Sequence, residues 1–396
     1  MYDFDKIIER RETSSTKWDK CKLNGYPDDT LAMWTADMDF EVLPEITEAM
    51  RKRIVEHPVY GYSFSVPGQE KEVCSWMKRR HGWDPKPEWL LITPGIVCAL
   101  KMALQSFTKR GEAILIQPPV YYPFKRTIED NGRNVVENPL QLVHGHYEVD
   151  FKDFEQKIIQ NDVKVFILCN PHNPVGRVFT RTELMRMGEI CLAHGVLVIA
   201  DEIHADFVFA GSRFIPFLSL DDRFKDNAIS CTSPSKTFNL AGLKFSNIFI
   251  PNREIREKYA KHLELCGISN CNLLGSIAAK AAYEYGDQYV DELVAYIEGN
   301  VEFFKKYLAE ELPMFSLLDP EGLYLVWVDV SALGLTNEEL THFMIYDAQV
   351  WLDEGYIFGK EGTNFERFNL ACPRIVVKEA VDRIKSSAIR RGILSF

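Results

Sequence analysis

The sequence predicts an α/β protein: a large domain with a mostly parallel sheet covered by helices, followed by a smaller α+β domain. Three observations carry that expectation. Short apolar runs recur between residues 90 and 251 with helix-length stretches between them, the pattern of parallel strands buried on both faces and joined by crossover helices. Beyond about residue 280 the texture changes to one long helical stretch, a strand-like run and two further helices. The chain has 396 residues, more than one hydrophobic core usually serves.

Residues 1–45 read as an irregular segment, charged at first, then turn-rich at KLNGYPDDT and continuing through MWTADMDF, Met33–Phe40. A helix is expected from Leu43, with Pro44 at its start, where a missing N–H is harmless, and Ile46, Met50 and Ile54 along one side. Another covers Gln69–Arg80 and is closed by Gly82. Strands and helices then alternate. LLIT (90–93) precedes a helix over Ile96–Phe107, AILIQP (113–118) one near Tyr122–Asn131, and VKVFILCN (163–170) one over Thr182–His194. VLVIADE (196–202), AISCTS (228–233) and NIFIP (247–251) complete the series. A long helix then runs to about Glu310, GLYLVWVDV (322–330) is strand-like, a helix is expected near 337–350, and a closing helix begins near Val377. The expected division is an N-terminal segment, 1–45, packing with the small domain; a large domain, 46–284; and a small domain, 285–396.

Composition excludes several function classes. Hydrophobic residues make up 46% and charged residues 26%, which is globular. A net charge of -11, from 46 basic and 57 acidic residues, argues against a nucleic-acid surface, which needs a basic stripe. No apolar run reaches membrane-spanning length, and MYDFDKIIERRETSSTKWDK has no signal core. Nine cysteines are scattered singly, Cys266 and Cys271 being the closest pair, which reads as reduced thiols in a cytoplasmic protein. The two histidines of His144–His146 flank Gly145 and have no acidic or cysteine partner at ligand spacing, so a turn is expected there and no metal site.

G-x-G-x-x-G, the P-loop and H-E-x-x-H are all missing. Chemistry-bearing residues fall instead just after the expected strand ends, where open α/β sheets bind ligands. The most informative is Lys236 in SPSKTFNLAGLK, Ser233–Lys244. Flanked by Ser233 and Ser235 and following an apolar strand, its amine can be made nucleophilic by burial, with the hydroxyls and Lys244 serving a phosphate. Asp201, in VLVIADEIH, stands at the end of a buried strand, where a carboxylate needs a cation such as a protonated pyridine nitrogen; the bland reading is a helix N-cap. His204 is either its supporting partner or an ordinary core histidine. Asn173, in LCNPHNPVGRVF, can aim its amide at a ligand oxygen or simply shape a turn. Gly95 in TPGIV leaves the amides of Ile96 and Val97 free to hold phosphate at a helix start. Tyr121 in PPVYYPF can lie on an aromatic ring.

These motifs, together with MWTADMDF, VYGYS, LDEGYIFG and FERFNLACP, run in order along essentially the whole chain. In this the sequence resembles the fold-type I, pyridoxal 5'-phosphate (PLP)-dependent class I/II aminotransferase superfamily. Within it, the chain is similar to the branch of cystathionine β-lyases and cystalysin-like cysteine-S-conjugate lyases. The resemblance implies a mostly parallel seven-stranded sheet and a homodimer with shared active sites. It implies Lys236 as the lysine bound to PLP and as catalytic base, Asp201 at the pyridinium nitrogen, Tyr121 stacked on the ring and acting in catalysis and substrate binding, and Asn173 donating to the ring oxygen. His204 has a supporting role beside the cofactor. The Ile96 and Val97 amides, Ser233, Ser235 and Tyr62 of a second subunit would hold the phosphate, and Arg367 the substrate carboxylate. Lys244 stands where many superfamily members carry arginine, keeping the charge without the rigid fork. The implied activity is α,β-elimination from cystathionine or another S-substituted cysteine, giving a thiol, pyruvate and ammonia. Lys236, Asp201 and Arg367 would serve an aminotransferase equally, and a regulatory or binding protein could keep the same fold.

Overall fold

A computed structural model describes residues 2–268 and 272–394. Cys271 lies outside the described residues. The larger sheet has seven strands: β1 (Leu90–Thr93), β2 (Ala113–Ile116), β3 (Asn134–Glu137), β4 (Val165–Cys169), β5 (Leu197–Asp201), β6 (Ala228–Thr232) and β7 (Ser246–Phe249), in the spatial order β1-β7-β6-β5-β4-β2-β3. Neighbours from β3 through β6 pair in parallel. All five residues of β4 and of β6 are buried, as strands covered by helices on both faces must be.

Two features of the sheet escape the sequence pattern. Strand β3 is a four-residue edge strand in which only Val136 is buried, so it lacks an apolar run. Strand β7 runs antiparallel to both its neighbours. A parallel return needs a crossover to the far end of the sheet. Here the chain between Thr232 and Ser246 stays at one end, forming the short helix Pro234–Thr237 and a turn at Ala241–Leu243, so the next strand must run back.

The smaller sheet comprises β8 (Ser316–Leu317), β9 (Leu325–Asp329), β10 (Asp353–Glu354) and β11 (Phe365–Asn369), in the order β8-β9-β11-β10, all antiparallel. It packs with the 25-residue helix Asp287–Glu311 and the closing helix Arg374–Arg390. The helix expected at 337–350 is shorter: an α-helix over Asn337–His342 widens into a π-turn at Phe343–Asp347. The chain then turns at Gln349, with φ 54°, so that Val350–Trp351 can pair with Leu31–Ala32. β-Branched and aromatic side chains favour that extended pairing over another helical turn.

Residues 2–43 lie against several of these parts. Tyr2 N donates to Glu292 at 2.9 Å, Phe4 packs edge-on against Tyr289, and Trp34 stacks on Trp351 at 4.1 Å. Buried Lys17 pairs with Asp39 at 2.7 Å, while Arg10 bridges Asp37 and Asp39. His144 and Gly145 form the turn of a small hairpin, Gln141–Val143 with His146–Glu148. Among the described residues no helix is long and apolar enough to cross a membrane.

Candidate active site

The chemistry-bearing residues converge at the C-terminal ends of β4, β5 and β6, under the segment Trp34–Met38 and beside β11. Lys236 sits in the four-residue helix Pro234–Thr237 directly after β6. Its Nζ donates to the Ala36 carbonyl at 2.6 Å. Burial lowers its pKa to about 8; the Arg367 charge works the same way, while Asp37 and Asp201 oppose it. An amine so placed is substantially neutral near pH 8 and available as nucleophile or base.

Asp201 ends β5 and is buried. One oxygen accepts from the Ile203 amide at 3.1 Å, yet burial pushes the carboxyl up to about 7, with the Lys236 charge opposing only in part. Neighbouring Glu202 is a different kind of acid. It accepts from the Ser230 hydroxyl and, at 2.7 Å, from the Phe217 amide, and burial pushes it up to about 8. Its partners hold it within the large domain; those of Asp201 leave an oxygen for a ligand.

Arg367, on β11, is 2% exposed and reaches across to three groups. Its guanidinium donates to Asn173 Oδ1 at 2.9 Å, to the Trp34 carbonyl at 2.7 Å and to Asp353 on the paired strand β10. Among the described residues its Nε has no hydrogen-bond partner. The Phe358 ring lies 4.9 Å from the guanidinium carbon. Asn173 thus spends its oxygen on Arg367, and no bond within the described residues occupies its Nδ2. The Asn173 carbonyl also accepts from the Tyr121 amide at 3.0 Å, which ties the β4 turn to the β2 turn. Tyr121 packs on Tyr122 and edge-on against Phe124, and burial first, then Tyr122 and Asp201, push its hydroxyl well up from the usual range.

The phosphate candidates lie to one side. Gly95, with φ 104°, opens the helix Ile96–Phe107, and no side chain caps it. Gly95 adopts that positive φ without strain, and Ile96 and Val97, as the first residues of the helix, have amides with no acceptor inside it. Ser233 Oγ accepts from the Ser235 amide at 3.1 Å and bonds the Ser235 hydroxyl at 2.9 Å and the Phe245 carbonyl at 2.7 Å. Lys244 is exposed, in a left-handed turn with φ 54°, and its ammonium joins none of these groups. Tyr62 is fully exposed and contacts nothing in its own chain's site. His204 is buried and, among the described residues, has no partner at Nδ1; burial, then the Lys236 and Arg367 charges, hold its pKa well below the usual range. The ring is therefore neutral, and no hydrogen bond joins it to Asp201, so the expected support is not made directly.

Four groups that the sequence did not mark complete the site. Asp353 clamps Arg367, the carbonyls of Trp34 and Ala36 receive Arg367 and Lys236, and Tyr324 donates to Ala36 O at 3.1 Å. Asp353 stands in the LDEGYIFG run, but nothing in that run alone marks it as the partner of Arg367. Together the donors suit a flat aromatic ligand with a protonated ring nitrogen, an oxygen substituent and an anionic tail. A pyridoxal phosphate has those features, so the residues present fit that group.

Comparison with known proteins agrees with this geometry. Residues 29–384 match the family "Aminotransferase class I and II". Cystathionine β-lyase PatB of Bacillus subtilis (strain 168) is 43% identical over 386 residues, covering 97% of this chain and 99% of its own. Cystalysin from Treponema denticola, solved with pyridoxal 5'-phosphate, superposes with a TM-score of 0.95 at 36% identity, over 99% of this chain and 100% of that one. A PLP-bound structure from Clostridium difficile 630, provisionally named an aminotransferase, gives a TM-score of 0.95 at 40% identity, over 98% and 100%. The chain belongs to the class I and II aminotransferase family.

Proposed function

We propose that the protein is a PLP-dependent carbon–sulfur β-lyase acting on cystathionine or related S-substituted cysteines. The observation that carries the cofactor is Asp201, a buried carboxyl bonded through one oxygen to the Ile203 amide, beside Lys236, whose pKa burial lowers to about 8. The lyase assignment is supported by the similarity to PatB and cystalysin. Bound there, PLP supplies an electron sink for the pair left behind when the α-proton departs. Lys236 accepts that proton. Asp201 would keep a proton on the ring nitrogen, Asn173 Nδ2 would donate to the ring oxygen and Tyr121 would cover the ring. Ser233, Ser235 and the Ile96 and Val97 amides would hold the phosphate, with Lys244 at its margin. Arg367, steadied by Asp353, pairs with the substrate carboxylate. The β-sulfur would then leave and take up a proton to become the thiol, and the released aminoacrylate would add a water molecule to give pyruvate and ammonia.

The test compares cystathionine, cysteine and alanine with 2-oxoglutarate present, recording thiol, pyruvate and glutamate separately. Cystathionine is expected to yield thiol and pyruvate in equal amounts. Alanine turning over to glutamate much faster would make the enzyme an aminotransferase, the reading favoured by the name of the Clostridium structure. Replacing Arg367 by Leu should lower kcat/KM on the order of 100-fold, mostly through KM, since a buried carboxylate clamp is lost. An unchanged KM for cystathionine would remove Arg367 from the substrate site.

We further infer a homodimer. Val59, Tyr60, Tyr62 and Phe64 are all exposed on one loop, an apolar surface of the kind a partner covers. A second subunit would bring Tyr62 to the phosphate. Tyr62→Phe is expected to weaken PLP retention on the order of tenfold, as loss of one hydrogen bond to a charged group would. Sedimentation showing an active monomer would overturn this arrangement. All eight described cysteines are free, which accords with a cytoplasmic location.

A further inference from the structure

A third acid with a buried side chain, after Asp201 and Glu202, stands five residues beyond Asp201. The Asp206 side chain is 7% exposed and is held by three residues on two elements. Oδ2 accepts from Thr237 Oγ1 at 2.5 Å. Oδ1 accepts from Trp76 Nε1 at 3.1 Å and lies 3.0 Å from His81 Nε2. Trp76 and His81 belong to the helix Gln69–His81, and Thr237 is the last residue of the turn that carries Lys236. Despite burial, the carboxyl is held below its usual pKa, by the His81 contact and charge, the Thr237 hydroxyl and the Arg80 charge. Tyr283, the other titratable group facing it, is driven well above its usual range by burial, with Asp206 adding to the shift.

Such a network matters because of what it anchors. One helical turn of four residues cannot hold itself, since nucleation fixes more dihedrals than its hydrogen bonds repay. The turn is pinned at its start by Ser233 Oγ capping the Ser235 amide. Beyond its end, Asn239 bonds the backbone of Met38 at 3.0 and 2.8 Å. Between these stands Thr237, adjacent to the lysine, buried, and fixed by a charge-assisted bond. His81, the last residue of the helix Gln69–His81, places Nε2 3.0 Å from Asp206 Oδ1, so that the carboxyl lies against this helix as well as the lysine turn.

We propose that Asp206 is the positioning residue for Lys236. Through Thr237 it fixes the turn that carries the lysine, and with it the reach of the amine. This rests on Lys236 acting as base in a PLP enzyme. Asp206 touches neither substrate nor cofactor in this role; it acts through Thr237, while Trp76 and His81 lie against its other oxygen.

The test uses the PLP-loaded enzyme and the variants Asp206→Asn, Thr237→Val and Thr237→Ser. Thr237→Val keeps the shape but not the bond, and should lower kcat on the order of 100-fold with KM near the parent value, as misplacement of a reacting group does. The pH midpoint of the bound cofactor's visible absorbance should shift as well, which a purely structural role would leave in place. Thr237→Ser should restore both kcat and midpoint. If Asp206→Asn fails to fold, the threonine pair still decides. Parental kcat and midpoint in Thr237→Val, or a Thr237→Ser variant as impaired as the valine, would overturn the proposal. A parent protein with no cofactor band would overturn the PLP reading and this inference with it, whereas a normal parent with unaffected variants overturns this inference alone.

Discussion

Lys236→Ala should abolish turnover, with a loss on the order of 10⁴-fold or more, because it removes the group assigned to accept the α-proton. The fold should survive. Burial already holds the Lys236 pKa down at about 8, so the charged amine is an unfavourable tenant of its site, and alanine relieves that cost. The carbonyl that loses the amine still accepts from the Tyr324 hydroxyl at 3.1 Å. The groups assigned to phosphate and ring are untouched, so the variant should still bind PLP, now without covalent attachment. Borohydride reduction and peptide mapping should label Lys236 in the parent and no lysine in the variant. A label on another lysine, or a variant retaining a tenth of parental activity, would defeat the assignment.

Much of this site is legible in the sequence because its members follow strand ends. Asp201 ends β5, Asn173 lies in the turn after β4, and Lys236 follows β6, each within a few residues of an apolar run that announces the strand. What joins them is not legible. Arg367 bonds Asn173 across 194 positions and the Trp34 carbonyl across 333, and Lys236 bonds Ala36 across 200. Backbone carbonyls carry no residue signature, so Trp34 and Ala36 could not be marked as acceptors. Asp206 stands in the same ADEIHADFVF run as Asp201, but its work depends on Trp76, His81 and Thr237 arriving from elsewhere. In the fold, β3 went unread because an edge strand with one buried residue has no apolar run. The antiparallel β7 reads like its parallel neighbours, since direction follows from the path of residues 233–245 and not from the strand's own composition.

Asp201→Asn should separate catalysis from stability. In the cofactor-free protein the folded carboxyl has a pKa of about 7, against an ordinary 3.8. Between those values the unfolded chain has released its proton while the folded chain keeps it. Stability from this group is therefore fully present below about pH 4, is lost as pH rises toward 7, and stays level above. Asparagine cannot ionise, so the variant should lack that loss. Measured by urea unfolding without PLP, it should exceed the parent at pH 8 by up to about 4 kcal/mol and approach it at pH 4. Glu202 is raised as well, first by burial and in part by the Asp201 charge, so relief of that part adds to the gain at high pH. Loading with PLP should reverse the order, because a protonated ring nitrogen beside Asp201 supplies the cation that burial denies it. Turnover should fall on the order of 10²- to 10³-fold, since the neutral amide no longer holds that proton in place. A residue that lowers stability when empty and raises both stability and rate when loaded is what a cofactor anchor requires. If the two proteins show the same pH dependence without PLP, Asp201 has a hidden partner; if the variant keeps parental turnover, its place at the ring nitrogen is wrong.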